Sequence, residues 1–383
     1  MSCKSKLLFL VAEDWYFCSH RLSLAVAAME AGYDVVVVTR VNHHAKVIHA
    51  ANLRLIPLRR LRRSRTNLFQ ELATVLELWS VYHKEKPDLV HHVGLKPIIY
   101  GSLVARFVRV GGVVNALAGL GFVFSSSRLF ARLLRPFINQ VFSYILKSPN
   151  SRIIVQNQFD LDLLTTTIGV DLNHVHLIRG AGVDLSLYSN NKPREQPPLV
   201  VLIARMLWDK GVGDFVEAAT RIRKAGISAR FVLVGMPDSE NPTSLTDSQL
   251  LNWHYGGNIE WWGFCADVPR VLALASIVCL PTYYGEGLPK ALIEAMASSR
   301  AIITTTIPGC RELVTNEDCG ILVPPRDVAS LTAALELLIQ NPDRCTQMGL
   351  NGRKKVEQSL SLSQVLEETL DLYLNLVPVR MSK

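Results

Sequence analysis

Two pairs of charged residues in the second half of the chain have the types and spacing needed to bind phosphates and hydroxyl groups. Arg205 and Lys210 flank a turn that follows an apolar run, and a guanidinium and an ammonium group together suit a diphosphate. Glu286 and Glu294 are separated by seven residues, and their carboxylates would accept hydrogen bonds from hydroxyl groups. For the first pair, the alternative is that both residues lie in an ordinary surface loop. For the second pair, the alternative is that one glutamate complements the dipole at a helix start and the other is solvated on the helix.

The segment between the two glutamates predicts how they are placed. Pro289 is typical of a first helical turn, so the N–H groups of Gly287 and Leu288 are expected to point out of a helix N-terminus. Helix rise then separates the carboxylates by roughly 10–12 Å, with an anion site between them. This arrangement suits a nucleotide diphosphate sugar, with Glu294 accepting from ribose, the helix start holding phosphate and Glu286 accepting from the sugar. The apolar neighbours of Glu294 weigh against the solvated alternative.

The apolar runs that must position these side chains alternate with helical patterns, and the alternation occurs twice. The predicted strands are 7–12, 34–39, 53–58, 88–93, 112–117 and 151–157, then 198–205, 229–235, 258–263, 276–281 and 301–306. Near-continuous Val, Ile and Leu runs are typical of parallel strands buried on both faces. We therefore predict an α/β fold of two doubly wound Rossmann-like domains facing a cleft, with ligands at the carboxyl ends of the strands.

A polar, proline-rich stretch at 190–198 marks the predicted domain boundary. The amino-terminal domain is predicted to span 1–189 and the carboxyl-terminal domain 190–362, with a helix in 363–383 packing back on the first domain. After the first strand, a helix is predicted from Ser19 to Ala31.

The positive charge of the chain is concentrated in its first half. Of the 383 residues, 1–200 contain 24 Lys and Arg against 13 Asp and Glu, whereas 201–383 contain 17 against 20. No acidic residue lies between Asp88 and Asp160. A basic face of this kind attracts anionic lipid, phosphorylated ligands or nucleic acid.

Several protein classes are excluded by composition. Seven scattered cysteines without a C-x-x-C pair predict free thiols in a reducing cytoplasm, and neither a zinc nor a disulfide framework. The apolar run Leu7–Ala12 is too short for a signal peptide, and no segment has the sequence of a membrane span. No G-x-G-x-x-G follows a predicted strand, which argues against a dinucleotide dehydrogenase.

Three motifs together resemble family 4 of the retaining glycosyltransferases, which have the GT-B fold. They are Arg205 with Lys210-Gly211, the pair of glutamates with seven residues between them, and Pro308-Gly309-x-Arg311-Glu312. The resemblance implies that Arg205 and Lys210 hold the donor diphosphate, that Glu286 contacts the transferred sugar and that Glu294 binds the ribose. It also implies that Gly263 lies at the edge of the nucleobase pocket.

The segment Asp14–Arg21 resembles bacterial enzymes that extend polyprenyl-diphosphate-linked saccharides, although the glycine-rich turn usual after the first strand is missing. This resemblance implies transfer of a hexose or N-acetylhexosamine from a nucleotide donor, UDP-linked, to a lipid-linked saccharide, without metal or other cofactor. It implies a peripheral enzyme on the inner face of the plasma membrane with no nucleic-acid partner. The alternatives are a non-catalytic GT-B subunit that binds a glycan or partner, and a GT-B sugar-nucleotide epimerase.

Histidines and acidic pairs elsewhere give weaker signals. His20 and His92 follow or end strands of the first domain and are predicted to contact acceptor or to line the cleft. Asp160-Leu-Asp162 has the D-x-D spacing of metal sites but opens a helix, where acidic residues favour the dipole, so no metal site is predicted.

Two arginine-rich segments, 59–65 and 128–147, predict docking to an anionic membrane surface. In the second segment, Arg128, Arg132 and Arg135 share a helical face and no acidic residue offsets their charge. The alternative is that the arginines are solvated and the apolar face packs on the sheet.

Overall fold

The computed structural model describes the chain in two compact units. The described residues are 4–63, 67–117, 119, 140, 142–189, 197–283 and 285–379. The first unit runs to Ala181 and takes up the chain again from Gln364, while the second is the continuous segment Gly182–Ser363. The predicted boundary after residue 189 lies eight residues beyond this division, and residues 190–196 lie outside the described part.

The first unit contains a seven-stranded parallel sheet. Its strands are β1 Lys6–Glu13, β2 Asp34–Arg40, β3 Arg54–Leu58, β4 Leu89–Val93, β5 Gly112–Ala116, β6 Ser151–Val155 and β7 Val175–Leu177. The order β3-β2-β1-β4-β5-β6-β7 reverses direction between β1 and β4, which is the topological switch point of a doubly wound sheet.

Helices cover both faces of this sheet. They are α1 Asp14–His20, α2 Leu22–Glu30, α3 Ala45–Ala50, α4 Leu68–Glu85, α5 Leu95–Val108 and α6 Gln158–Asp162. Phe17 and Leu24 pack on one face, and Leu78 and Tyr82 on the other. Among the described residues, no helix combines the length and apolar character needed to cross a bilayer.

The second unit has a six-stranded parallel sheet in the order β10-β9-β8-β11-β12-β13. Its strands are β8 Leu199–Ile203, β9 Arg230–Val234, β10 Glu260–Gly263, β11 Ile277–Leu280, β12 Ala301–Thr305 and β13 Gly320–Val323. Its helices are α7 Val212–Lys224, α8 Asp247–Tyr255, α9 Val268–Leu274, α10 Lys290–Ala297, α11 Pro308–Leu313, α12 Val328–Gln340 and α13 Pro342–Ser359. The predicted fold class of two Rossmann-like parallel-sheet domains is confirmed.

The last helix, α14 (Leu362–Leu376), contributes to the core of the first unit. Tyr373 is fully buried, and its hydroxyl lies 2.5 Å from Nδ1 of His91. Beyond the helix, the Tyr33 hydroxyl donates to the carbonyl of Val377 at 2.9 Å. Helix α14 and the residues that follow it therefore cover part of β1 and β4.

The predicted start of the first helix is wrong, because α1 begins at Asp14, directly after β1, and not at Ser19. The buried Asp14 carboxylate accepts backbone N–H groups from Asn42, His43 and His44 at 2.7, 3.0 and 2.8 Å. Burial alone would raise the pKa of Asp14, but these donors hold it below its usual value. A buried carboxylate thus occupies the position directly after β1, where the resembled enzymes usually have a glycine-rich turn.

His92 lies in the core of the first unit, on β4, with no exposed surface. Its Nδ1 donates to Oδ1 of Asn115 at 2.8 Å, and its Nε2 accepts the Tyr82 hydroxyl at 2.9 Å. Burial lowers the pKa of His92 to about 4. The expectation that His92 contacts acceptor is not supported, since both ring nitrogens are already bonded inside the protein.

Close backbone contacts join the loops at the carboxyl edge of the second sheet. Gly211 has φ of 74°, and a Cβ there would overlap the carbonyl oxygen of Pro281, which follows β11. In the same way a Cβ on Gly309, in α11, would overlap the carbonyl oxygen of Gly287. Both contacts require glycine, and they hold the loops after β8, β11 and β12 together.

We expect Gly211→Ala to destabilise the second unit more than Gly226→Ala, a matched control with φ of 75° and open space around it. The left-handed backbone costs each variant about 1 kcal/mol. Only Gly211→Ala adds overlap with Pro281, for a further 1–3 kcal/mol or so. Calorimetry of the full chain measures the difference, and equal unfolding midpoints for the two variants would contradict the contact.

We also expect the stability of the first unit to fall as the pH is lowered from about 6.5 to about 4. Unfolded His92 regains its ordinary pKa and binds a proton that the folded state rejects, so acid favours unfolding by up to about 3 kcal/mol. The pH dependence of urea unfolding measures this effect. The neighbouring His91 is also buried, and burial lowers its pKa well below the ordinary value, so His92→Gln should reduce the slope without abolishing it. The exposed control His49→Gln should leave the slope unchanged. An unaltered slope in His92→Gln would show that His92 does not contribute to it.

Candidate active site

The predicted donor residues lie at the carboxyl edge of the second sheet. Arg205 and Lys210 are in the loop after β8, and Lys210 ends a single 3₁₀ turn, Trp208–Lys210. Glu286 is in the loop after β11, and Glu294 is in α10. β8 and β11 are adjacent at the point where the strand order reverses, so the topology brings these two loops together.

Lys210 and Glu286 are in direct contact, with 2.6 Å between Nζ and Oε1. The two side chains are only 13% and 14% exposed, so water screens their attraction weakly. The buried Thr282 hydroxyl also lies 3.1 Å from Glu286 Oε1. The Tyr283 N–H donates to the carbonyl of Asp209 at 3.0 Å and ties the two loops through the backbone. Sequence reasoning assigned this lysine and glutamate to different parts of a ligand and did not predict that they pair.

Arg205 pairs with Asp238, at 2.5 Å between Nη1 and Oδ2. Asp238 lies in the loop after β9, where its N–H donates to the Ser244 hydroxyl at 2.9 Å. Sequence reasoning missed Asp238. Its position shortly after a buried strand, at the edge where the other candidates gather, was the available signal.

Glu294 is buried in α10 and is held by two partners. The Tyr188 hydroxyl donates to its Oε1 at 3.0 Å, and Lys290 Nζ lies 3.4 Å from the same oxygen. Burial and the nearby Glu294 carboxylate raise the pKa of the Tyr188 hydroxyl, so it remains a donor. The backbone of Tyr188 is fixed in turn, because its carbonyl accepts from Arg353 at 3.1 Å. Sequence reasoning missed Tyr188, which is 106 residues away from its partner.

The predicted helix with Pro289 near its first turn is present, but Gly287 and Leu288 precede it. Helix α10 begins at Lys290, with Pro289 as the preceding cap residue. Gly287 and Leu288 therefore belong to the loop, and the separation of Glu286 and Glu294 does not follow from helix rise alone. Leu288 is 7% exposed and packs in the hydrophobic core of the unit.

Gly263 ends β10 with φ of 69°, and its carbonyl accepts the Gly235 N–H at 2.7 Å. A Cβ on Gly263 would lie 3.7 Å from the sulfur of Met236. Gly263 therefore borders the loop that carries Asp238. Its expected place beside a nucleobase remains a prediction.

His20 lies in the first unit, in the last turn of α1. Its ring stacks on Tyr16 with centroids 4.2 Å apart, and its Nδ1 lies 2.6 Å from the Ser19 hydroxyl. The ring is half-buried on the carboxyl side of β1. A contact between His20 and acceptor remains a prediction.

The two aspartates of the D-x-D sequence make local contacts around the start of α6. Asp160 is buried and accepts from the Asn157 amide at 3.1 Å, and Asp162 accepts from Gln158 at 2.8 Å. Over the part of the chain that the structure describes, no three His, Cys, Asp or Glu side chains are grouped to hold a metal ion.

Only part of the predicted membrane-facing sequence is described. Ser64 and Arg65 of the first segment, and 128–139 and 141 of the second segment with Arg128, Arg132 and Arg135, lie outside the described residues. In the first segment, Arg63 donates from Nε to the buried Glu13 at 3.2 Å and lies over the Trp15 ring. Arg59, Arg60 and Arg62 have exposed side chains. Arg63 is thus partly engaged inside the protein, and three arginines of this segment face solvent.

Comparison with known families accounts for most of the chain. Residues 6–158 match the family described as Glycosyl transferase 4-like, and residues 197–341 match the family described as Glycosyl transferases group 1. The first match lies within the first unit and the second within the second unit.

Two curated bacterial relatives are similar over most of their length. The chain is 26% identical over 334 residues to the N,N'-diacetylbacillosaminyl-diphospho-undecaprenol alpha-1,3-N-acetylgalactosaminyltransferase of Campylobacter jejuni, covering 84% of this chain and 86% of the relative. It is 24% identical over 322 residues to the UDP-Gal:alpha-D-GlcNAc-diphosphoundecaprenol alpha-1,3-galactosyltransferase of Escherichia coli, covering 81% of each.

Solved structures share the fold. The crystal structure of Anabaena Alr3699/HepE in complex with UDP aligns with a TM-score of 0.75 at 16% identity, covering 97% of this chain and 100% of that one. The two Rossmann-like domains are thus those of the GT-B fold. With both halves of the chain matched in their expected order, this protein belongs to the glycosyltransferases that combine a glycosyl transferase 4-like domain with a group 1 domain.

Proposed function

We propose that this glycosyltransferase moves a hexose or N-acetylhexosamine from a nucleotide diphosphate donor, UDP-linked, to a lipid-linked saccharide, with retention of anomeric configuration. The product serves the synthesis of a bacterial cell-surface polysaccharide or glycan. The observation that carries this proposal is the meeting of Lys210 and Glu286 at the switch point of the second sheet, with Arg205 on the same edge. Support for the acceptor comes from the two curated relatives, both named for transfer to undecaprenol-diphosphate-linked sugars.

The donor is held by residues of the second unit in this proposal. Glu294 accepts hydrogen bonds from the ribose hydroxyls, and Tyr188 orients its carboxylate. Gly263 borders the nucleobase, and the Gly287–Leu288 segment lies against the diphosphate. Arg205 and Lys210 bind the diphosphate and must exchange Asp238 and Glu286 for phosphate oxygens. Glu286, released from Lys210, is then available to the hydroxyls of the transferred sugar.

The chemical step exchanges one bond at the anomeric carbon for another. The acceptor hydroxyl oxygen bonds to that carbon, the bond from the carbon to the phosphate oxygen breaks, and the hydroxyl proton passes to the departing diphosphate on the same face. The negative charge that develops on the leaving group is the main electrostatic demand. Arg205 and Lys210 meet this demand with fixed cations, which replaces the role of a divalent metal ion.

The acceptor binds to the first unit in this proposal, and His20 is the side chain expected to contact it. A polyprenyl chain stays in the bilayer, so the enzyme works as a peripheral protein on the inner face of the plasma membrane. The net positive charge of residues 1–200 supports attraction to that surface.

A panel of sugar nucleotides, incubated with and without a polyprenyl-diphosphate-linked saccharide and read by mass spectrometry, tests the proposal. Transfer should require both substrates and should release nucleoside diphosphate. Conversion of the sugar nucleotide without acceptor would indicate an epimerase. Binding of donor or glycan without any product would indicate a non-catalytic subunit.

We expect Lys210→Ala and Glu294→Ala each to abolish most transfer, because each removes a charge-assisted contact to the donor worth roughly 3 kcal/mol, or a hundredfold in rate. Initial rates with the donor identified by the panel measure the loss. Circular dichroism and thermal unfolding should show that both variants remain folded.

The matched control for these variants is the exposed ion pair Arg221–Glu217, at 2.9 Å on α7 of the same unit. Arg221→Ala and Glu217→Ala remove the same kinds of charge but should leave the rate unchanged, since a surface pair contributes little. Near-wild-type turnover in folded Lys210→Ala or Glu294→Ala would refute the site assignment.

We expect transfer to persist in excess EDTA, because cationic side chains neutralise the leaving diphosphate. The measurement compares initial rates with EDTA, with added magnesium and with added manganese. Complete loss of activity in chelator, restored by either ion, would favour a metal-bridged diphosphate and direct attention back to Asp160 and Asp162.

A further inference from the structure

Helix α4 of the first unit exposes a row of large apolar side chains, which we call the apolar stripe. Its members are Leu68, Phe69, Leu72, Leu76 and Trp79, with exposures of 83%, 83%, 56%, 58% and 47%. At about 100° per residue they fall within an arc of roughly 100° on one side of the helix. Large apolar residues concentrated on one exposed face mark an interaction surface, whereas single exposed ones are ordinary.

The apolar stripe has no part in holding α4 on its sheet. That task falls to Thr74, Leu78 and Tyr82, which are buried and lie on a different side of the helix. Leu78 and Tyr82 pack in the cluster that contains side chains of β1, β2 and β4. Helix α4 therefore has two apolar faces. One packs on the sheet, and the other, the apolar stripe, is exposed to solvent.

All three acidic residues of α4 point away from the apolar stripe and are engaged by other groups of the first unit. Glu71 pairs with Lys96 at 2.8 Å, and Glu85 pairs with Arg54 at 2.6 Å. Glu77 accepts the backbone N–H groups of the Arg59–Arg60 segment, both at 3.0 Å. Within α4, the arc of the stripe holds one further residue, His83, and no carboxylate.

The contacts of Glu77 also place positive charge beside the helix. Because Arg59 and Arg60 bind it through their backbone, their side chains remain exposed, as does that of Arg62. The carbonyl of Arg62 accepts from Lys96 at 2.9 Å, so the same lysine ties this loop to Glu71 of α4. We call Arg59, Arg60 and Arg62 the basic rim.

We infer that the apolar stripe and the basic rim form the surface by which this protein docks on an anionic lipid bilayer. An apolar face beside cations, without carboxylates, is the arrangement that enters the headgroup region of such a membrane. A second copy of the chain fits this surface poorly, because a two-fold contact would bring together two copies of the basic rim while the stripe offers no carboxylate to pair with them. The inference rests on the proposed function in so far as a polyprenyl-linked acceptor lies in a bilayer.

Vesicle flotation of the full-length protein tests the surface. Wild-type protein should float with vesicles of phosphatidylcholine mixed with phosphatidylglycerol, and much less with phosphatidylcholine alone. Leu72→Ser/Leu76→Ser should weaken partitioning by roughly tenfold or more, because it removes apolar area from the membrane contact. The control Leu172→Ser changes a leucine of similar exposure (61%) in the same unit, next to Asp171, and should float like wild type.

The charge contribution is tested by Arg59→Glu/Arg60→Glu/Arg62→Glu. These changes leave the backbone contacts of Glu77 in place, so binding should fall while the fold persists. High salt should release the wild-type protein. Trp79, which stacks on His83 with centroids 5.3 Å apart, gives a second readout, since its emission should shift to the blue on vesicles and Trp79→Phe should remove that shift.

Several results would overturn the inference. Equal flotation of Leu72→Ser/Leu76→Ser and wild type would show that another surface docks. Equal binding to neutral and anionic vesicles would show that the basic rim does not contribute to docking. Dimers in sedimentation that are lost in the stripe variant, without flotation of the wild type, would identify the occupant as a second copy.

Activity measurements separate this inference from the proposed function. A short-chain, water-soluble diphosphate-linked saccharide should be glycosylated equally by wild type and the stripe variant, whereas a vesicle-embedded undecaprenyl acceptor should be glycosylated more slowly by the variant. No transfer to either acceptor by wild type would refute the proposed function, and flotation would still decide the docking surface. Equal rates of both proteins on the embedded acceptor would refute the docking surface alone.

Discussion

The contact between Lys210 and Glu286 is the interaction on which the candidate site depends. It joins the loops that follow β8 and β11, the two strands between which the sheet order reverses. Each loop alone has a charged side chain on a flexible stem, which would be free to sample many rotamers. The ion pair, together with the backbone contact of Gly211 with Pro281, limits those rotamers and keeps both charges at one edge.

Both cations of the candidate site are balanced inside the protein. Lys210 faces Glu286 and Arg205 faces Asp238, so the site holds separated charges with little net charge. Partly buried cations without counter-charges would be costly to maintain, and the two carboxylates offset that cost. A ligand that binds both cations must compete with carboxylates already in place. A diphosphate, with more charge than either carboxylate, is suited to do so.

Local patterns in the sequence predicted the framework well, and contacts between distant segments account for what was missed. The predicted ends of strands such as 34–39 and 301–306 are correct to within one residue, because runs of Val and Ile are typical of strands buried on both faces. The start of α1 was missed because Asp14 is fixed by backbone groups of residues 42–44, about thirty positions away.

The same reasoning applies to the candidate site. Arg205, Lys210 and the two glutamates could be selected as candidates from the sequence because each lies next to a strand end or on a helix with a clear apolar period. Tyr188 and Asp238 gain their roles only through partners in other elements, 106 and 33 residues away. His92 was misjudged for the opposite reason: a polar residue at a strand end suggests a site, but here buried partners on other elements satisfy it.

The contribution of α14 to the first unit has a consequence for how the protein is made. Leu372 and Tyr373 complete a core whose other members, such as Phe9 and Tyr33, leave the ribosome before any residue of the second unit. The second unit is continuous in sequence and can fold as it emerges. The first unit must wait, with one face of its sheet uncovered, until the whole of the second unit has been translated. The amino-terminal half, although synthesised first, is thus the last to reach its final packing.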